Sequence, residues 1–441
     1  MQVGVVGFGY IGSVIGAVLA SKGCDVVAVD SNARAIDDLN NGQCSVPEPL
    51  LQEMISAAVS SGNLSGSNSY DELSACDVVL ITVGTPLSAQ FDADLSAIDD
   101  VFENVAKHLK AHQIIMVKST VPPGVTRQMA DLHLGGRDDV YVGFSPERLA
   151  EGNAIAEFKS LPIIVGGIDD RSTEKCAAFW SEVMGVEVIS VASCESAELV
   201  KLANNQWIDL NIALANELAM LCDSLPYELD VLEIIRGANS LKKGQHFVNY
   251  LTPSIGVGGY CLTKDPWFVS ALGDSNGMPL TLPSAGRRVN DNMPMYCSDR
   301  ISSHFSANQK EVCDLKIAVL GYSFKTNSGD VRFSPMASFI SEMISKGVRD
   351  LGVFDSTVSE STEFAEGVTQ YEAWRECVSC ADCVVFGASH DDIASISAEE
   401  LVAEMKPGGL IFDGRRYFNK QEIDLFISSG QKYVGVGRTF S

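Results

Sequence analysis

The chain has 441 residues, enough for two or three domains, and its hydrophobic residues, 46% of the total, can fill cores of that size. Only 20% of the residues are charged, which argues against a disordered chain. The formal net charge of −25 at pH 7 repels nucleic acids and anionic lipid surfaces, so we expect no nucleic-acid and no membrane partner.

The sequence has no run of about 20 apolar residues, and its first residues, MQVGVVGFGYIG, lack the basic segment and cleavage site of a signal peptide. The 12 cysteines fit a reducing compartment better than a disulfide framework, so we predict a cytoplasmic protein. Three of them stand together in CVSCADC (377–383), but a zinc site needs four ligands and no second pair is present. We predict no metal site and interpret this segment as a helix end followed by a buried strand.

Residues 1–195 alternate β-rich and helical segments, which is typical of a parallel, doubly wound α/β sheet. The predicted strands are QVGVVGFG near the N-terminus, DVVAVD (25–30), DVVLITVG (77–84), QIIMVKST (113–120), VYVGFSPE (140–147), PIIVGG (162–167) and VEVISV (186–191). We predict that residues 1–195 form a cofactor-binding domain.

The first strand leads into GFGYIG, which supplies Gly7, Gly9 and Gly12 at the start of a predicted helix. Gly7 allows a tight turn, Gly9 lets a pyrophosphate approach the backbone, and Gly12 lets the helix pack on the strand. Asp30 ends the second strand, where a carboxylate accepts hydrogen bonds from a ribose diol and repels a 2′-phosphate. The pattern predicts NAD as the cofactor; a glycine-rich turn without a cofactor is the alternative.

Two further strands end in TVGTP (82–86) and KSTVPPG (118–124). Because ligands of doubly wound sheets bind beyond the carboxyl ends of the strands, Thr85 and Thr120 are candidate cofactor or substrate contacts. Ordinary helix caps and turn residues are equally compatible with their placement.

The chain changes character near residue 195. A stretch of about thirty residues, CESAELVKLANNQWIDLNIALANELAMLCDSL, has neither Gly nor Pro and predicts one long helix. It opens a predicted central domain, residues 196–300. A second, smaller α/β unit is predicted over residues 301–441, with strands in CDLKIAVLGYSFK (313–325), GVRDLGVFD (347–355), ADCVVFGAS (381–389) and GGLIFDGRRYF (408–418).

Within the central domain, GVGGYCLTKDPWF (256–268) places Cys261 between a glycine cluster and Lys264. Glycines let the backbone come close to a bulky group, and a thiol beside a lysine suggests an activated nucleophile. An arbitrary cysteine is more often a packing residue. The interpretation of Cys261 as a nucleophile therefore depends on the glycines and the lysine that flank it.

Seven motifs resemble, in this order, the UDP-glucose/GDP-mannose dehydrogenase family: GFGYIG, KSTVPPG, SPERLAEG, KLANN, GVGGYCLTKD, GYSFKTNSGDVRFSP and FDGRR. The resemblance covers essentially the whole chain. It implies two Rossmann-like domains joined by a long central helix, usually in a homodimer, with the C-terminal domain binding the UDP of a UDP-sugar. It also implies two successive NAD-dependent oxidations of a C6 alcohol to a carboxylate, for surface polysaccharide precursors.

The resemblance implies that Cys261 attacks the aldehyde formed by the first oxidation. A free aldehyde lacks the tetrahedral, hydrogen-bearing carbon that a second hydride loss needs, and thiolate addition provides it. The resulting thioester is then hydrolysed to the acid.

The remaining site residues are likewise implied by the resemblance. The catalytic residues are Cys261, Lys201, Asn205, Asp265, Glu147 and Thr120. The cofactor-binding residues are Gly7, Gly9, Tyr10, Ile11, Gly12, Asp30, Thr85, Thr120 and Arg332. The substrate-binding residues are Glu147, Arg148, Leu149, Glu151, Lys201, Asn205, Gly258, Gly259, Lys264, Lys325 and Arg415.

Several of these assignments have plainer alternatives. Lys201 and Asn205 stand four apart on one helix face and would stabilise oxyanions, but the spacing alone equally describes a solvated lysine. Glu147 is implied as the general base for thioester hydrolysis. Asp265 is implied to position a water or the reacting hydroxyl together with Thr120, although Asp before Pro is also a good helix N-cap.

The motifs disagree about the sugar. GGYCLTKD resembles the UDP-glucose branch, whereas GVGG followed by a spaced Cys and DPWF, together with GRRVNDNMP (286–294), resembles the UDP-N-acetylhexosamine branch. The second set is longer, so we expect a UDP-N-acetylhexosamine, with UDP-glucose and GDP-mannose as alternatives. A single-step β-hydroxyacid dehydrogenase and a non-catalytic NAD-binding regulator are the alternatives from other classes.

Overall fold

The computed structural model describes residues 1–88, 92–244, 246–359 and 362–438. The chain forms two compact units, the first of Met1–Asn204 with Ala271–Asn276 and the second of Asn205–Ser270 with Gly277–Ser441. No helix within the described ranges is both long enough and apolar enough to span a bilayer.

The first unit contains an eight-stranded sheet. Its strands are β1 (Gln2–Val6), β2 (Asp25–Val29), β3 (Leu64–Ser67), β4 (Val78–Ile81), β5 (Ile114–Val117), β6 (Tyr141–Phe144), β7 (Ile163–Gly167) and β8 (Val188–Ser190). They are ordered β3-β2-β1-β4-β5-β6-β7-β8. All neighbours are parallel except β6 and β7, which are antiparallel. The predicted doubly wound α/β sheet is confirmed, with this one reversal.

Helices alternate with these strands and cover the apolar runs, so that all four residues of β4 are buried. The helices are α1 (Tyr10–Ser21), α2 (Ala33–Asn40), α3 (Leu51–Ser61), α4 (Ser96–Lys107), α5 (Val125–His133), α6 (Ala154–Phe158) and α7 (Asp170–Met184), with a 3₁₀ turn at Tyr70–Ser74. The connections at the carboxyl ends of β1, β4, β5 and β6 carry the predicted cofactor and substrate motifs.

The predicted long helix is α8 (Cys194–Ser224), which begins in the first unit and continues into the second. It is followed by α9 (Val231–Asn239), a hairpin of β9 (Lys242–Lys243) and β10 (His246–Phe247), α10 (Asp265–Ser275) and α11 (Thr281–Ala307). The buried Arg287 guanidinium of α11 lies 2.6 Å from Asp209 of α8, so an ion pair joins the two long helices. The predicted domain boundary at residue 300 falls within α11, and the division into three domains stays a prediction.

The second unit contains a six-stranded, wholly parallel sheet. Its strands are β11 (Lys316–Leu320), β12 (Asp350–Phe354), β13 (Val368–Tyr371), β14 (Cys383–Phe386), β15 (Leu410–Asp413) and β16 (Lys432–Gly435), ordered β13-β12-β11-β14-β15-β16. The helices are α12 (Pro335–Ser345), α13 (Trp374–Val378), α14 (Asp391–Ala394), α15 (Ala398–Glu404) and α16 (Lys420–Ser428), with a 3₁₀ turn at Val312–Asp314. In CVSCADC, α13 ends and the buried β14 begins, as the sequence predicts.

Candidate functional site

The GFGYIG loop joins β1 to α1, and its glycines shape it. Gly7 has φ +88°, in the left-handed region that favours glycine. A Cβ atom on Gly12 would lie 2.0 Å from the carbonyl oxygen of Gly7, so no side chain fits there. A Cβ atom on Gly9 would meet no described atom within 4 Å. This open space at the N-terminus of α1 suits a pyrophosphate, because helix N–H groups and the helix dipole favour anions.

Asp30 is half-buried directly after β2. Its Oδ2 accepts a hydrogen bond from the Phe8 N–H at 2.6 Å, and its Oδ1 accepts one from the Asn32 N–H at 2.8 Å. The carboxylate therefore holds the glycine loop, a role that the sequence did not predict. Each oxygen retains a further lone pair with which it can accept from a ribose diol.

Thr85 and Thr120 follow β4 and β5 and are joined by a hydrogen bond. The buried Thr85 hydroxyl donates to the Thr120 carbonyl at 2.6 Å. Glu198 of α8 anchors the same loop, since it accepts from the N–H groups of Gly124 at 2.6 Å and Thr126 at 2.8 Å. Burial raises the pKa of Glu198 to about 7. The sequence did not single out Glu198.

Lys118 is a second residue that the sequence analysis missed. Its ammonium lies 3.2 Å from Glu147 Oε2 and donates to the Ser145 carbonyl at 3.2 Å, with both charged side chains buried. It also lies over the rings of Phe158 and Trp180, 5.7 and 5.1 Å from their centroids. Burial lowers the pKa of Lys118, while Glu147 opposes this shift by favouring the charged form.

The two carboxylate oxygens of Glu147 have different partners. Its Oε1 accepts hydrogen bonds from the N–H groups of Arg148 at 2.8 Å and Leu149 at 3.2 Å. Its buried Oε2 lies 3.2 Å from the Lys118 ammonium, and no other residue that the structure describes donates a hydrogen bond to it. A buried carboxylate oxygen with unused lone pairs can take a proton, as a general base must.

In the second unit, polar groups converge at the turn that carries Cys261. Cys261 is exposed, and its carbonyl accepts from the Asp265 N–H at 2.9 Å. The fully buried Asp265 carboxylate accepts from Lys264 Nζ at 2.6 Å and from Asn205 Nδ2 at 2.5 Å. Asn205, Lys264 and Asp265 therefore form one cluster. The Lys264 ammonium is paired with Asp265. Its contact with a substrate diphosphate stays a prediction.

The glycines before Cys261 pack against the loop that follows β11. A Cβ atom on Gly258 would lie 2.5 Å from Phe324 Cβ, and one on Gly259 would lie 2.7 Å from the Phe324 ring. The Gly259 N–H donates to the Arg332 carbonyl at 3.1 Å. The bulky group that these glycines admit is thus an aromatic side chain of the protein itself. The same loop carries the half-buried Lys325, and Arg332 on it is exposed.

His390 also holds the loop that follows β11. Its Nδ1 accepts from the Asn327 N–H at 2.8 Å, while its Nε2 lies 2.9 Å from Ser323 Oγ and 3.1 Å from Asp355 Oδ2. The set has the composition of a hydrolase triad, but Ser323 and Asp355 face the same nitrogen and all three side chains are buried. We therefore assign these residues a structural role.

A cleft that is open to solvent lies in the second unit. Its lining includes Gly258, Leu262, Phe324, Arg415 and Arg416. Arg415 donates to the carbonyls of Gly387 at 2.7 Å and Phe324 at 3.1 Å. Among the described residues, neither arginine has a carboxylate at ion-pair distance, and burial lowers the pKa of both to about 10. The sequence predicted Arg415 but not Arg416.

The structure divides the predicted site residues between the two units. The first unit holds Gly7, Gly9, Tyr10, Ile11, Gly12, Asp30, Thr85, Thr120, Glu147, Arg148, Leu149, Glu151 and Lys201. The second unit holds Asn205, Gly258, Gly259, Cys261, Lys264, Asp265, Lys325, Arg332 and Arg415. Helix α8 carries one member of each group, Lys201 and Asn205, which are both buried.

Comparison with known proteins finds three matching domains of the UDP-glucose/GDP-mannose dehydrogenase family. They are the NAD binding domain at residues 1–184, the central domain at 195–292 and the UDP binding domain at 318–420. A UDP-N-acetyl-D-mannosamine dehydrogenase from Pyrococcus horikoshii is 30% identical over 99% of both chains. An NDP-N-acetyl-D-galactosaminuronic acid dehydrogenase from Ralstonia nicotianae is 32% identical over 90% of this chain and 93% of its own.

Solved structures agree with these matches. The structure of the UDP-D-ManNAc dehydrogenase from Pyrococcus horikoshii is similar with a TM-score of 0.88 and 29% identity, over 99% of both chains. That of a UDP-glucose dehydrogenase from Pyrobaculum islandicum gives a TM-score of 0.87 and 27% identity, over 99% of this chain and 98% of that one. The chain belongs to the UDP-glucose/GDP-mannose dehydrogenase family.

Proposed function

We propose that the protein is an NAD-dependent nucleotide-sugar 6-dehydrogenase that oxidises the C6 alcohol of a UDP-sugar to a carboxylate. The cleft of the second unit carries this proposal. It brings the guanidinium groups of Arg415 and Arg416 together with Leu262, the neighbour of Cys261. Half-buried guanidinium groups that lack a carboxylate partner favour a phosphate-bearing ligand. Cys261 itself is exposed, which is compatible with attack on a nucleotide sugar bound in this cleft.

The first unit fits NAD. The open space at Gly9 suits the pyrophosphate, the missing side chain at Gly12 allows the close turn, and Asp30 offers its carboxylate to a ribose diol. When bound, NAD supplies the hydride acceptor for both oxidations, one molecule for each.

Cys261 makes the second oxidation feasible. Its thiolate adds to the carbon of the aldehyde, the carbonyl oxygen takes a proton, and the carbon becomes tetrahedral with its hydrogen still attached. Loss of that hydrogen as hydride, together with release of the hydroxyl proton to water, leaves a thioester on Cys261. We assign Lys201 and Asn205 to the developing oxyanions, since an ammonium and an amide both donate hydrogen bonds to oxygen. Asp265 holds Asn205 in place at 2.5 Å.

Glu147 is suited to the hydrolysis of the thioester. A water adds to the thioester carbon while the carboxylate takes its proton, and the carbon–sulfur bond then breaks to release the acid and the thiol. Glu147 Oε2 has the lone pairs for this proton. Lys118, 3.2 Å away, stabilises the ionised carboxylate before the proton arrives.

The substrate we propose is a UDP-N-acetylhexosamine of the manno, galacto or gluco series. The DPWF and GRRVNDNMP segments that suggest it lie at the start of α10 and on α11. The relatives that are 30% and 32% identical to the chain bear the names of an N-acetylmannosamine and an N-acetylgalactosaminuronic acid dehydrogenase. UDP-glucose is the second candidate, because a UDP-glucose dehydrogenase has a similar structure.

A second copy of the chain is the partner we propose. Helix α8 exposes Trp207, Leu214 and Leu221, which are 50%, 47% and 53% accessible. Their seven-residue spacing places them on one face of the helix, and such a stripe packs well against another helix. The family resemblance likewise favours a homodimer through this region.

We further propose that the enzyme works in the cytoplasm. The twelve cysteines form no disulfide in the described parts of the chain, and the thiol of Cys261 has to stay reduced to act. Both conditions are met in a reducing compartment.

A panel of nucleotide sugars tests the proposed reaction. We expect purified protein with NAD to oxidise a UDP-N-acetylhexosamine and to form two NADH for each uronic acid, measured by absorbance and by mass spectrometry of the product. One NADH for each product would indicate a single-step dehydrogenase instead. Faster turnover of UDP-glucose would overturn the sugar assignment alone, and no turnover of any UDP-sugar would contradict the function.

Lys118→Met tests the buried ion pair. The variant leaves the Glu147 carboxylate buried without its cation, so we expect the free energy of unfolding at pH 7 to fall by about 3–5 kcal/mol. Chemical denaturation measures this change. In the matched control Lys107→Met, the lost partner is the exposed Glu103 at 3.0 Å, and we expect a loss below about 1 kcal/mol. Equal stability of the two variants would show that the buried pair does not form.

Leu214→Glu tests the proposed dimer. A carboxylate in the centre of the apolar stripe of α8 would be desolvated at a helix–helix interface, so we expect the variant to be monomeric where the wild type has twice the mass of one chain. Light scattering after size-exclusion chromatography measures both. Leu132→Glu on α5 is the control, since this leucine is also exposed, at 64%. A monomeric wild type, or a Leu214→Glu dimer, would exclude this interface.

A further inference from the structure

Glu48 is a buried acidic residue that the proposed reaction does not use. It precedes α3, and only 7% of the residue is accessible. Its Oε2 accepts a hydrogen bond from the Gly152 N–H at 2.6 Å and another from the Tyr10 hydroxyl, while its Oε1 accepts from the Ala154 N–H at 2.7 Å. No cation lies at ion-pair distance within the described residues, so these donors compensate the charge.

The donors belong to two loops with different predicted tasks. Tyr10 is the first residue of α1 and follows Gly9, where the structure leaves space for the cofactor pyrophosphate. Gly152 ends the SPERLAEG segment, which begins at the carboxyl end of β6 and contains Glu147. The Gly152 N–H also lies 3.2 Å from the Tyr10 hydroxyl oxygen. One carboxylate thus connects the cofactor loop to the segment that carries the hydrolytic base.

The Tyr10 hydroxyl is the donor in its hydrogen bond with Glu48. Burial raises the pKa of Tyr10 well above its ordinary value, and the hydrogen bond to Glu48 raises it further, so the hydroxyl stays protonated and donates. Both ends of the SPERLAEG segment are then anchored by acidic side chains. Glu147 binds the N–H groups of Arg148 and Leu149 at one end, and Glu48 binds those of Gly152 and Ala154 at the other.

We propose that Glu48 is a positioning residue that couples occupancy of the cofactor loop to the arrangement of the SPERLAEG segment, and so to binding of the sugar. A pyrophosphate at Gly9 restrains the first turn of α1 and with it Tyr10, which through Glu48 restrains Gly152. Because coupling between two ligands is reciprocal, a bound UDP-sugar tightens the cofactor by the same factor. The inference rests on the proposed function, since it assumes that Glu147 faces the sugar.

A purely structural role for Glu48 predicts something different. The Glu48 carboxylate accepts hydrogen bonds at the N-terminus of α6. The N-cap residue of this helix, Asn153, makes no side-chain cap bond of its own. If capping were its whole task, changes at Glu48 would lower stability and leave the coupling between ligands intact. The coupling factor is therefore the measurement that separates the two roles.

Tyr10→Phe tests the connection with the least disturbance, because it keeps the ring and removes only the hydroxyl. NADH fluorescence gives the dissociation constant of NADH with and without the unoxidised UDP-sugar that the wild type accepts, a pair that cannot react. We expect the sugar to tighten NADH at least about fivefold in the wild type and less than about twofold in the variant. An unchanged factor in Tyr10→Phe, or no coupling in the wild type, would overturn the proposal.

Glu48→Gln provides the second variant, since its amide nitrogen cannot accept from main-chain N–H groups. We expect it to lose the coupling as well and to raise the KM for the UDP-sugar more than it lowers kcat, whereas Glu53→Gln, an exposed change on α3, should retain wild-type coupling. Adding Tyr10→Phe to Glu48→Gln should then change the coupling factor no further; a separate additional loss would contradict a shared path. Turnover of the UDP-sugar by the wild type reports on the proposed function independently of these results.

Discussion

Carboxylates that accept main-chain N–H groups hold the loops at the carboxyl edges of both sheets. In the first unit, Asp30 holds the GFGYIG loop and Glu198 holds the KSTVPPG loop. In the second, Asp355 accepts from the N–H groups of Tyr322 at 2.8 Å and Ser323 at 2.9 Å. A buried carboxylate is costly unless donors surround it, and converging N–H groups supply them. The loop geometry on which ligand binding depends is thus fixed by acidic residues of a strongly acidic chain.

A carboxylate that accepts main-chain N–H groups also explains how this acidic chain can offer positive charge to a diphosphate. At the end of β15, Asp413 accepts from the N–H groups of Arg415 at 3.2 Å and Tyr417 at 2.8 Å, which fixes the turn between them. The Arg415 guanidinium is held by carbonyl oxygens, so its charge remains available. Lys264 differs, because Asp265 neutralises it. Arg415 and Arg416 are therefore the residues that we propose for binding the diphosphate in the cleft.

Much of the fold could be predicted because buried parallel strands are continuous apolar runs. In the two α/β sheets, the strands that the sequence does not reveal, β3, β13 and β16, all lie at sheet edges, where polar residues are favoured. An apolar run carries no direction, so the antiparallel pairing of β6 and β7 leaves no trace in it. Local motifs likewise identify Gly12 and Cys261, but not Lys118 or Glu48, whose partners are remote in sequence. A single sequence does not encode such contacts in any local pattern.

In the proposed mechanism, the two-step oxidation depends on a thioester on Cys261. Glu147→Gln keeps the shape of the proposed base but cannot take a proton from water, so the acyl group should remain on the sulfur. The direct measurement is intact-protein and peptide mass spectrometry of this variant after incubation with NAD and the accepted UDP-sugar. We expect the mass of the nucleotide-linked uronyl group on the peptide that contains Cys261. An unmodified Cys261 in Glu147→Gln, or uronic acid formed by a Cys261→Ala protein, would contradict covalent catalysis.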